Sequence, residues 1–559
     1  MPEDFVSLHW GLYLFVPSRA GLALLTKERT PREVRHNVPD LAEFRENSGQ
    51  ETIDRVAHLP PTLSQLEWKR LLEDLDAKDP AELSLTPDVW SAIRWRQGGT
   101  MRLEYRDDSN EIVDFQQPDQ RKTVIVAGAK QVAYVLSNWK IYSVEEQLHR
   151  LEGTSGAIYV SQQPDDRYVE NTDLNGKYCY AKEAYDTNQI LIDHDEAAGF
   201  AVGHEAGTAL LQRARRQALA APVEPKLDYF KLELRRQYLM PALGLVCTAW
   251  FGIPGPPEGM DDPHDLRDVM ANGGWDWKTA TGAEGEQLRT ARCPGDCLSP
   301  SRYAFYPRPT DSIAAYAHDH GPAIRRAGME FVDKFFESSN PPPGSVSAAM
   351  FEKIAERDVL ARNLIGIMMG AMPPMDGNLR GILAEWLNEK TLWRHQAAYL
   401  RQREAGLAPY EAAREALWIP MTRAMCKRPA PDLIYRIAID DDTIEANGDR
   451  RAMDTKVQKG DLVIVAQVGA SQQSLFRNPD REGAVETVFG GKRDAAAQSH
   501  SYEGKRAPAE TLPVHACPGK DMAMGAMMGI LAALFEAGRI QALPASLIVK
   551  IMDWPPQIG

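Results

Sequence analysis

Cysteine is scarce in this chain, which has six cysteines among 559 residues. So few thiols exclude a disulfide framework and fit a reducing compartment. A net charge of −14 argues against a general nucleic-acid-binding protein, because phosphate binding requires a basic surface. No apolar run is long enough to span a bilayer, and the first residues lack the basic region of a secretory signal. We therefore predict a cytoplasmic protein with no stable membrane span and no nucleic-acid partner.

The apolar residues follow two patterns. From about residue 130 onward they recur mostly at helical spacing, whereas runs typical of strands lie near both ends. Strands are predicted over 101–105, 112–115, 123–127 and 462–468. Helices are predicted over 130–137, 143–151, 195–219, 227–250, 310–337, 351–372, 376–390, 391–405, 409–418 and 518–537. Loops rich in glycine, proline and polar residues are predicted over 253–263, 291–309 and 490–513.

These patterns predict a mainly α-helical fold with a small β part and no internal repeat. We assign a single domain to residues 61–559. Residues 1–60 are predicted to form an N-terminal extension, to which the sequence gives no role.

One cysteine stands directly before a long apolar helix, in VHACPGKDMAMGAMMGILAALF (514–535). Pro518 suits the first helical position, so Cys517 is predicted to be the N-cap. The N–H groups of Gly519 and Lys520 would then stabilise a thiolate, and the missing side chain of Gly519 would let a flat partner approach. Such a thiolate suits a soft metal such as a haem iron. The alternative is a small buried hydrophobic residue, the usual place of a free cysteine.

The sequence HACPGKDMA (515–523) resembles the haem-binding loop of the cytochrome P450 superfamily. Its downstream half matches, whereas ETLP (510–513) replaces the Phe and two Gly that family members carry upstream. Further segments resemble the family in its order and at roughly its spacing: 124–138, 247–257, 434–444, 459–480 and 488–493. The chain is therefore identified as a divergent, bacterial-type member of the superfamily over about residues 100–559.

The resemblance implies a haem-thiolate site that holds haem b. Cys517 would be the axial ligand of the iron, and Gly519 would lie beside the haem. His515 and Arg436 would bind the haem propionates, with Arg428 as the alternative to Arg436. A further basic partner would be Arg167 or Lys177.

The resemblance also aligns residues 364–386 with the central helix that lies above the iron. In monooxygenases this helix carries a Gly, then an acid and a Thr that supply protons during dioxygen activation. Aligning Gly370 puts Met372 and Pro373 at the acid and alcohol positions, and neither side chain can donate a proton. Family members without that pair often rearrange fatty-acid hydroperoxides or use peroxide directly, and Asn378 could then position a peroxide oxygen.

Two structural predictions concern the same helix. The consecutive prolines Pro373 and Pro374 predict that it breaks there and restarts near Asp376. The pocket above the haem is expected to be apolar, with four methionines as candidate lining residues: Met368, Met369, Met372 and Met375.

Family members also carry a buried Glu-x-x-Arg ion pair on a helix upstream of the cysteine. Two registers compete for this position. The first is Glu411 with Arg414, and the second is Glu415, which faces Trp418 in place of the Arg. We prefer the first, because an unpaired buried glutamate is costly.

Three functions remain open at this stage. The first is a monooxygenase that oxidises a hydrophobic small molecule with electrons from a separate ferredoxin or flavoprotein reductase, because no dinucleotide-binding loop is present. The second is a peroxygenase or fatty-acid hydroperoxide isomerase, which needs no electrons. The third is a degenerate protein that binds haem or a partner without catalysis.

Overall fold

A computed structural model describes much of the chain beyond residue 97. The described residues are 98–106, 112–114, 121–154, 156, 180–220, 229–252, 303–307, single positions between 314 and 333, 343–446, 454–477, 483–491, 515–542 and 548–552. The extension predicted over 1–60, both Arg167 and Lys177, and the segment before His515 lie outside this part.

Helices dominate the described residues, as the sequence predicted. The first three in chain order are α1 (Ala129–Ser137), α2 (Glu145–Glu152) and α3 (Tyr180–Asp193). The next are α4 (Glu196–Ala220), α5 (Met240–Phe251), α6 (Val346–Lys353), α7 (Arg357–Asn388) and α8 (Leu392–Glu404). The last are α9 (Pro409–Lys427), α10 (Gln467–Arg477), α11 (Gly483–Glu486) and α12 (Lys520–Glu536). In this described part, every helix is too short or too polar to cross a bilayer.

The largest sheet has five strands and lies beside the helices. The strands in chain order are β1 (Thr100–Arg102), β2 (Glu104–Arg106), β3 (Ile112–Asp114), β4 (Thr123–Val126), β5 (Tyr142–Ser143), β6 (Tyr229–Glu233), β7 (Leu433–Ala438), β8 (Asp442–Ile444), β9 (Thr455–Val457), β10 (Leu462–Ala466), β11 (Arg539–Ala542) and β12 (Ile548–Met552). The large sheet has the order β1-β4-β10-β7-β5, and only β4 and β10 pair in parallel. Both of these strands are buried along their whole length, which explains why every residue in them except Thr123 is apolar.

The smaller sheets join distant parts of the chain. One has the order β11-β12-β6, so that the C-terminal hairpin pairs with a strand more than 300 residues earlier. β2 and β3 pair antiparallel, with Glu104 opposite Asp114, so the strand predicted over 101–105 is divided between β1 and β2. β8 and β9 form the remaining pair.

Helices α4 and α12 cross with their backbones in contact. A methyl group added at Gly203 would collide with the backbone carbonyl of Ala526, and one added at Gly525 would collide with that of Glu196. Gly199 and Gly529 face the other helix in the same way. This close crossing fixes α12, whose residues from Met522 to Phe535 are all buried.

The predicted break at Pro373-Pro374 is wrong, because α7 is one continuous helix of 32 residues. The two prolines remove two backbone donors, but they do not end the helix. The turns on both sides are buried in the main apolar core, for example through Leu364 and Ile382, and this packing outweighs the local penalty.

Three other boundaries differ from the predictions. The segment predicted as one helix over 227–250 is β6, then a π-helical stretch over Leu234–Leu239, then α5. The helix predicted over 409–418 continues to Lys427, past Pro420. The strand predicted to reach residue 468 ends at Ala466, where α10 follows directly.

Candidate functional site

A cavity of about 300 Å³ lies between α7 and the loop that leads into α12. Its walls are mainly apolar, and they bring together residues that are far apart in sequence. The predicted residues His515, Cys517, Gly519 and Arg436 all line it.

The loop before α12 is held by a backbone contact. The N–H of Cys517 donates to the carbonyl of Phe489 at 2.9 Å. Phe489 ends a 3₁₀ turn, and Gly490 follows in the left-handed conformation, with φ of 82°. Both of these residues also line the cavity, so the turn and the cysteine form one continuous wall.

The predicted position of Cys517 at the N-cap is wrong by two residues. Helix α12 begins at Lys520 with Gly519 as its N-cap, and its first backbone bond runs from the N–H of Ala523 to the carbonyl of Gly519 at 2.9 Å. Pro518 and Gly519 form a turn instead of the first helical positions. The cysteine therefore stands in the loop beside the helix end.

Cys517 differs from the other described cysteines in its surroundings. It is partly exposed, whereas Cys247 and Cys426 are buried in the apolar core. Burial raises the pKa of Cys426 to about 12, which keeps that thiol protonated and unreactive. A thiol that opens onto a cavity does not fit the alternative of a fully buried core cysteine.

Arg436 is a buried cation on the cavity wall. Its side chain extends from β7, its Nη1 donates to the carbonyl of Tyr435 at 2.8 Å, and no described carboxylate pairs with it. Desolvation lowers the pKa of its guanidinium to about 10. A buried positive charge without a counter-ion fits a bound group that carries carboxylates.

Two glutamines add to the polar end of the cavity. Gln147, on α2, donates from Nε2 to the carbonyl of Tyr435 at 3.1 Å. Gln467 stands at the end of β10, and its Oε1 is buried with no hydrogen bond from the described residues. Neither glutamine was predicted from the sequence. The only available signal for Gln467 was a polar residue directly after a fully apolar strand.

Arg428, predicted as the alternative to Arg436, is not among the described residues that line this cavity, which favours Arg436. Its Nε pairs with Oε2 of Glu385 at 2.9 Å, and Nζ of Lys427 lies 2.7 Å from Oε1 of the same carboxylate. Burial alone would raise the pKa of Glu385, but the charges of Arg428 and Lys427 outweigh burial and hold it well below its ordinary value. Arg428 therefore anchors α7 to the end of α9.

Neither predicted register of Glu-x-x-Arg is a buried ion pair. Glu411 and Glu415 are exposed, because α9 turns its small and apolar residues toward the core. Arg414 instead approaches Glu196 of α4, with 3.4 Å between Nη1 and Oε2, and its guanidinium lies 3.5 Å over the ring of Trp418. The buried pair near this position is the one between Glu385 and Arg428.

Helix α7 forms the wall opposite the cysteine loop. Of the predicted residues, Pro373 lines the cavity, whereas Met372 is packed in the core. Met369 and Met375 also line it, whereas Met368 does not. Beside Gly370 the space is open, since nothing lies within 4 Å of an added methyl group.

Asn378 lines the cavity, but its amide serves the backbone. Its Nδ2 donates to the carbonyl of Ala430 at 2.9 Å, and its Oδ1 accepts from the N–H of Ala430 at 3.0 Å. This paired contact ties α7 to the segment before β7. The amide is thus a structural clamp, and its engagement argues against the predicted contact with a peroxide oxygen.

A segment that was predicted as an exposed loop contributes to the wall. Within 291–309, the described residues 303–307 include Phe305 and Tyr306, which line the cavity, and Tyr306 is largely buried. The hydroxyl of Tyr306 donates to Oδ1 of Asp432 at 3.0 Å. The signal that could have indicated burial was the group of three aromatic residues in RYAFY (302–306).

No protein-family model and no curated protein matches the sequence. Solved structures do match the fold. The cytochrome P450DA heme domain has a TM-score of 0.51 at 13% identity, and the match covers 89% of this chain and 95% of that one. P450BioI, solved in complex with hexadec-9Z-enoic acid ligated acyl carrier protein, has a TM-score of 0.47 at 12% identity over 84% of this chain and 99% of that one. The match to the P450DA heme domain shows that the arrangement of helices and sheets is the cytochrome P450 fold, and its sequence identity shows the fold alone.

Proposed function

We propose that this protein is a haem-thiolate oxidoreductase that acts on a hydrophobic small molecule. The observation that carries the proposal is the convergence of Cys517, His515 and Arg436 on one cavity that α7 closes from the other side. Cys517 would bind the iron of haem b. Arg436 and His515 would bind its carboxylates, and Gly519 leaves room beside it. Bound haem supplies oxidation chemistry, and a thiolate ligand favours O–O cleavage.

The residues of α7 determine what else the cavity accepts. Ile367, Met369 and Met375 present apolar surface and exclude water from the wall opposite the cysteine. Such a wall gains free energy by burying a hydrophobic substrate. The carbon skeleton of the substrate is therefore expected to be largely apolar.

Between the two oxidants, we favour peroxide over dioxygen with external electrons. The residues of α7 that line the cavity include no aspartate, glutamate, serine or threonine. Pro373 stands where a monooxygenase would carry an alcohol, and the Asn378 amide is already bound to Ala430. This wall therefore offers no acidic or alcoholic side chain of the kind that supplies protons for dioxygen activation. A monooxygenase served by a ferredoxin or flavoprotein reductase is the competing mode.

The thiolate assignment is tested by the spectrum of the reduced carbon monoxide complex. Protein loaded with haem is expected to show a strongly red-shifted Soret band that Cys517→Ser abolishes. Cys426→Ser is the matched control, because it removes a buried thiol that does not line the cavity and should leave the band unchanged. A band indifferent to Cys517→Ser would overturn the proposal.

The oxidant is tested by turnover with a set of hydrophobic substrates. Product is expected with hydrogen peroxide alone, at a rate that a reductase system with NAD(P)H does not exceed. Product only with the reductase system would establish the monooxygenase mode instead. Unchanged substrate under both regimes would support a protein that binds haem without catalysis.

A further inference from the structure

Two consecutive prolines lie in the middle of α7, at the cavity wall. Pro373 and Pro374 both line the cavity, as does Gly370 one turn earlier. The helix continues through these residues without a break. Because proline has no backbone N–H, this wall contains a turn in which backbone carbonyls lack their usual donors.

The carbonyl of Gly370 is the one that both prolines affect. A helical carbonyl accepts from the N–H four residues later in an α-helix, or three residues later in a 3₁₀ turn. For Gly370 these positions are Pro374 and Pro373, so neither donor exists. The next N–H, that of Met375, bonds to the carbonyl of Ala371 in the unbroken α-helix. No side chain of the described residues donates to the Gly370 oxygen either.

This acceptor faces the cavity. A helical carbonyl points along the axis toward the following turn, so the Gly370 oxygen lies beside Pro373 and Pro374, which both line the cavity. Gly370 is itself exposed, although residues 363–369 before it are buried. Nothing lies within 4 Å of a methyl group added at Gly370. An acceptor without a donor on an apolar wall costs free energy until a ligand supplies the hydrogen bond.

The surroundings of the acceptor determine which donor fits. The described residues that line the cavity include no aspartate or glutamate, so a cationic donor would be buried there without a counter-charge. An uncharged hydroxyl avoids that cost. The apolar side chains of Ile367 and Met375 line the same cavity, and they favour a hydroxyl that is carried on a hydrocarbon.

We propose, as an extension of the proposed function and resting on it, that the substrate is a hydrophobic alcohol whose hydroxyl donates to the carbonyl of Gly370. Pro373 and Pro374 are positioning residues that keep this carbonyl available to the substrate. The hydroxyl fixes one end of the substrate against α7, and the hydrocarbon part contacts the apolar wall.

The test compares 1-octanol with heptyl methyl ether, an isomer of the same composition that donates no hydrogen bond. Dissociation constants are measured by equilibrium dialysis with the full-length protein, with haem supplied. Pro374→Ala restores the N–H that pairs with the carbonyl of Gly370. It should therefore lower the affinity for the alcohol relative to the ether by about three- to tenfold. Because it removes a proline from a helix interior, this variant should fold at least as stably as the wild type.

Two other proline substitutions are the controls. Pro373→Ala removes the same ring surface from the cavity wall, but its new N–H pairs with the carbonyl of Met369 and leaves Gly370 without its α-helical donor. Pro420→Ala removes a proline from the interior of α9, which does not line the cavity. Both should keep the alcohol-to-ether ratio of the wild type. A ratio that Pro374→Ala leaves unchanged, or that Pro373→Ala lowers equally, would overturn the proposal.

Two further measurements separate this inference from the proposed function. Hydrogen exchange followed by mass spectrometry should show that the backbone N–H introduced by Pro374→Ala is protected. Rapid exchange would mean that the Gly370 carbonyl is not in place to accept, and would overturn the inference. The carbon monoxide spectrum reports the thiolate site on the opposite wall. A wild-type protein without the red-shifted band would overturn the proposed function, whereas the alcohol-to-ether ratios decide the role of Gly370 with or without that band.

Discussion

At the scale of single residues, two buried arginines show how the same side chain serves different purposes. Arg436 lines the cavity with no described carboxylate beside it, and desolvation lowers its pKa. Arg428 is equally buried, but Glu385 compensates its charge at 2.9 Å. The buried charge of Arg436 lowers stability unless an anion binds beside it, whereas the charge of Arg428 is compensated within the protein by Glu385.

We expect Arg436→Met to weaken haem binding without weakening the haem-free fold. Methionine fills similar space and removes an uncompensated charge, so the free energy of unfolding of the haem-free protein should stay equal or rise. Loss of a charged hydrogen bond to a propionate should cost about 1.5–3 kcal/mol of haem affinity. Haem transfer to apomyoglobin measures the affinity change, and urea unfolding measures the stability. An unchanged transfer rate would remove Arg436 from the site.

Arg428→Met should have the opposite pattern. It removes one of the two cations that compensate the buried Glu385 carboxylate and leaves Lys427 in place, so the loss of stability should stay below the about 3–5 kcal/mol that breaking a buried pair costs. Because Arg428 lies outside the cavity, the haem transfer rate of the folded fraction should stay close to that of the wild type. Equal effects of the two arginine substitutions on haem transfer would contradict this division of roles.

At the scale of elements, helix α7 shows that tertiary packing can override the conformational preference of the local sequence. Two consecutive prolines predict a break, but the helix continues because buried turns on both sides hold its axis. The crossing of α4 and α12 shows the reverse, since glycines that would weaken isolated helices permit close backbone contact. Both elements take their form from their neighbours in the fold.

Gly203→Ala is predicted to destabilise the protein. The added methyl group collides with the backbone of Ala526, which cannot move aside without separating the helices, so the cost should be about 1–3 kcal/mol. Gly370→Ala is the matched control, because it makes the same change in a helix with open space beside it. That variant should be stabilised by about 0.5–1 kcal/mol. Urea unfolding of the haem-free proteins should show a lower free energy of unfolding for Gly203→Ala and a higher one for Gly370→Ala.

At the scale of the whole molecule, the sequence predicted what short motifs encode and missed what tertiary packing decides. The mainly helical fold could be predicted from the spacing of apolar residues, and the resemblance to a known family singled out Cys517, His515 and Arg436, which line one cavity. The pair of Glu385 and Arg428 was not accessible, because its members are 43 residues apart and meet only where α7 packs on α9. The wall formed by Phe305 and Tyr306 was missed because prolines nearby predicted a surface loop.

The same long-range ion pairs make stability depend on pH. Glu385 sits between α7 and α9, and Glu536 at the end of α12 binds His204 and Tyr399 at 2.9 and 2.6 Å. Burial by itself would raise the pKa of each carboxyl. The cationic and hydrogen-bonding partners have a larger effect in the other direction, so the pKa of each carboxyl is lowered overall. A carboxyl with a depressed pKa in the folded state adds stability above its unfolded pKa of about 4.3, and this stability is lost as the pH falls through the folded value.

We therefore expect the free energy of unfolding to be steady above about pH 7 and to fall below it. The first part of the fall comes from His395, because burial lowers its folded pKa to about 4 and its protonation favours the unfolded chain. The steeper part below about pH 5 comes from protonation of Glu385 and Glu536. Urea unfolding at a series of pH values measures the slope. Glu385→Gln should lower the free energy of unfolding near pH 7. It should also reduce the further loss of stability as the pH falls, because an amide cannot titrate. Glu415→Gln, which changes an exposed carboxyl in α9, should leave both unchanged. If the free energy of unfolding of Glu385→Gln falls as steeply at acid pH as that of the wild type, other carboxyls determine the acid sensitivity, and the ion pair between α7 and α9 does not.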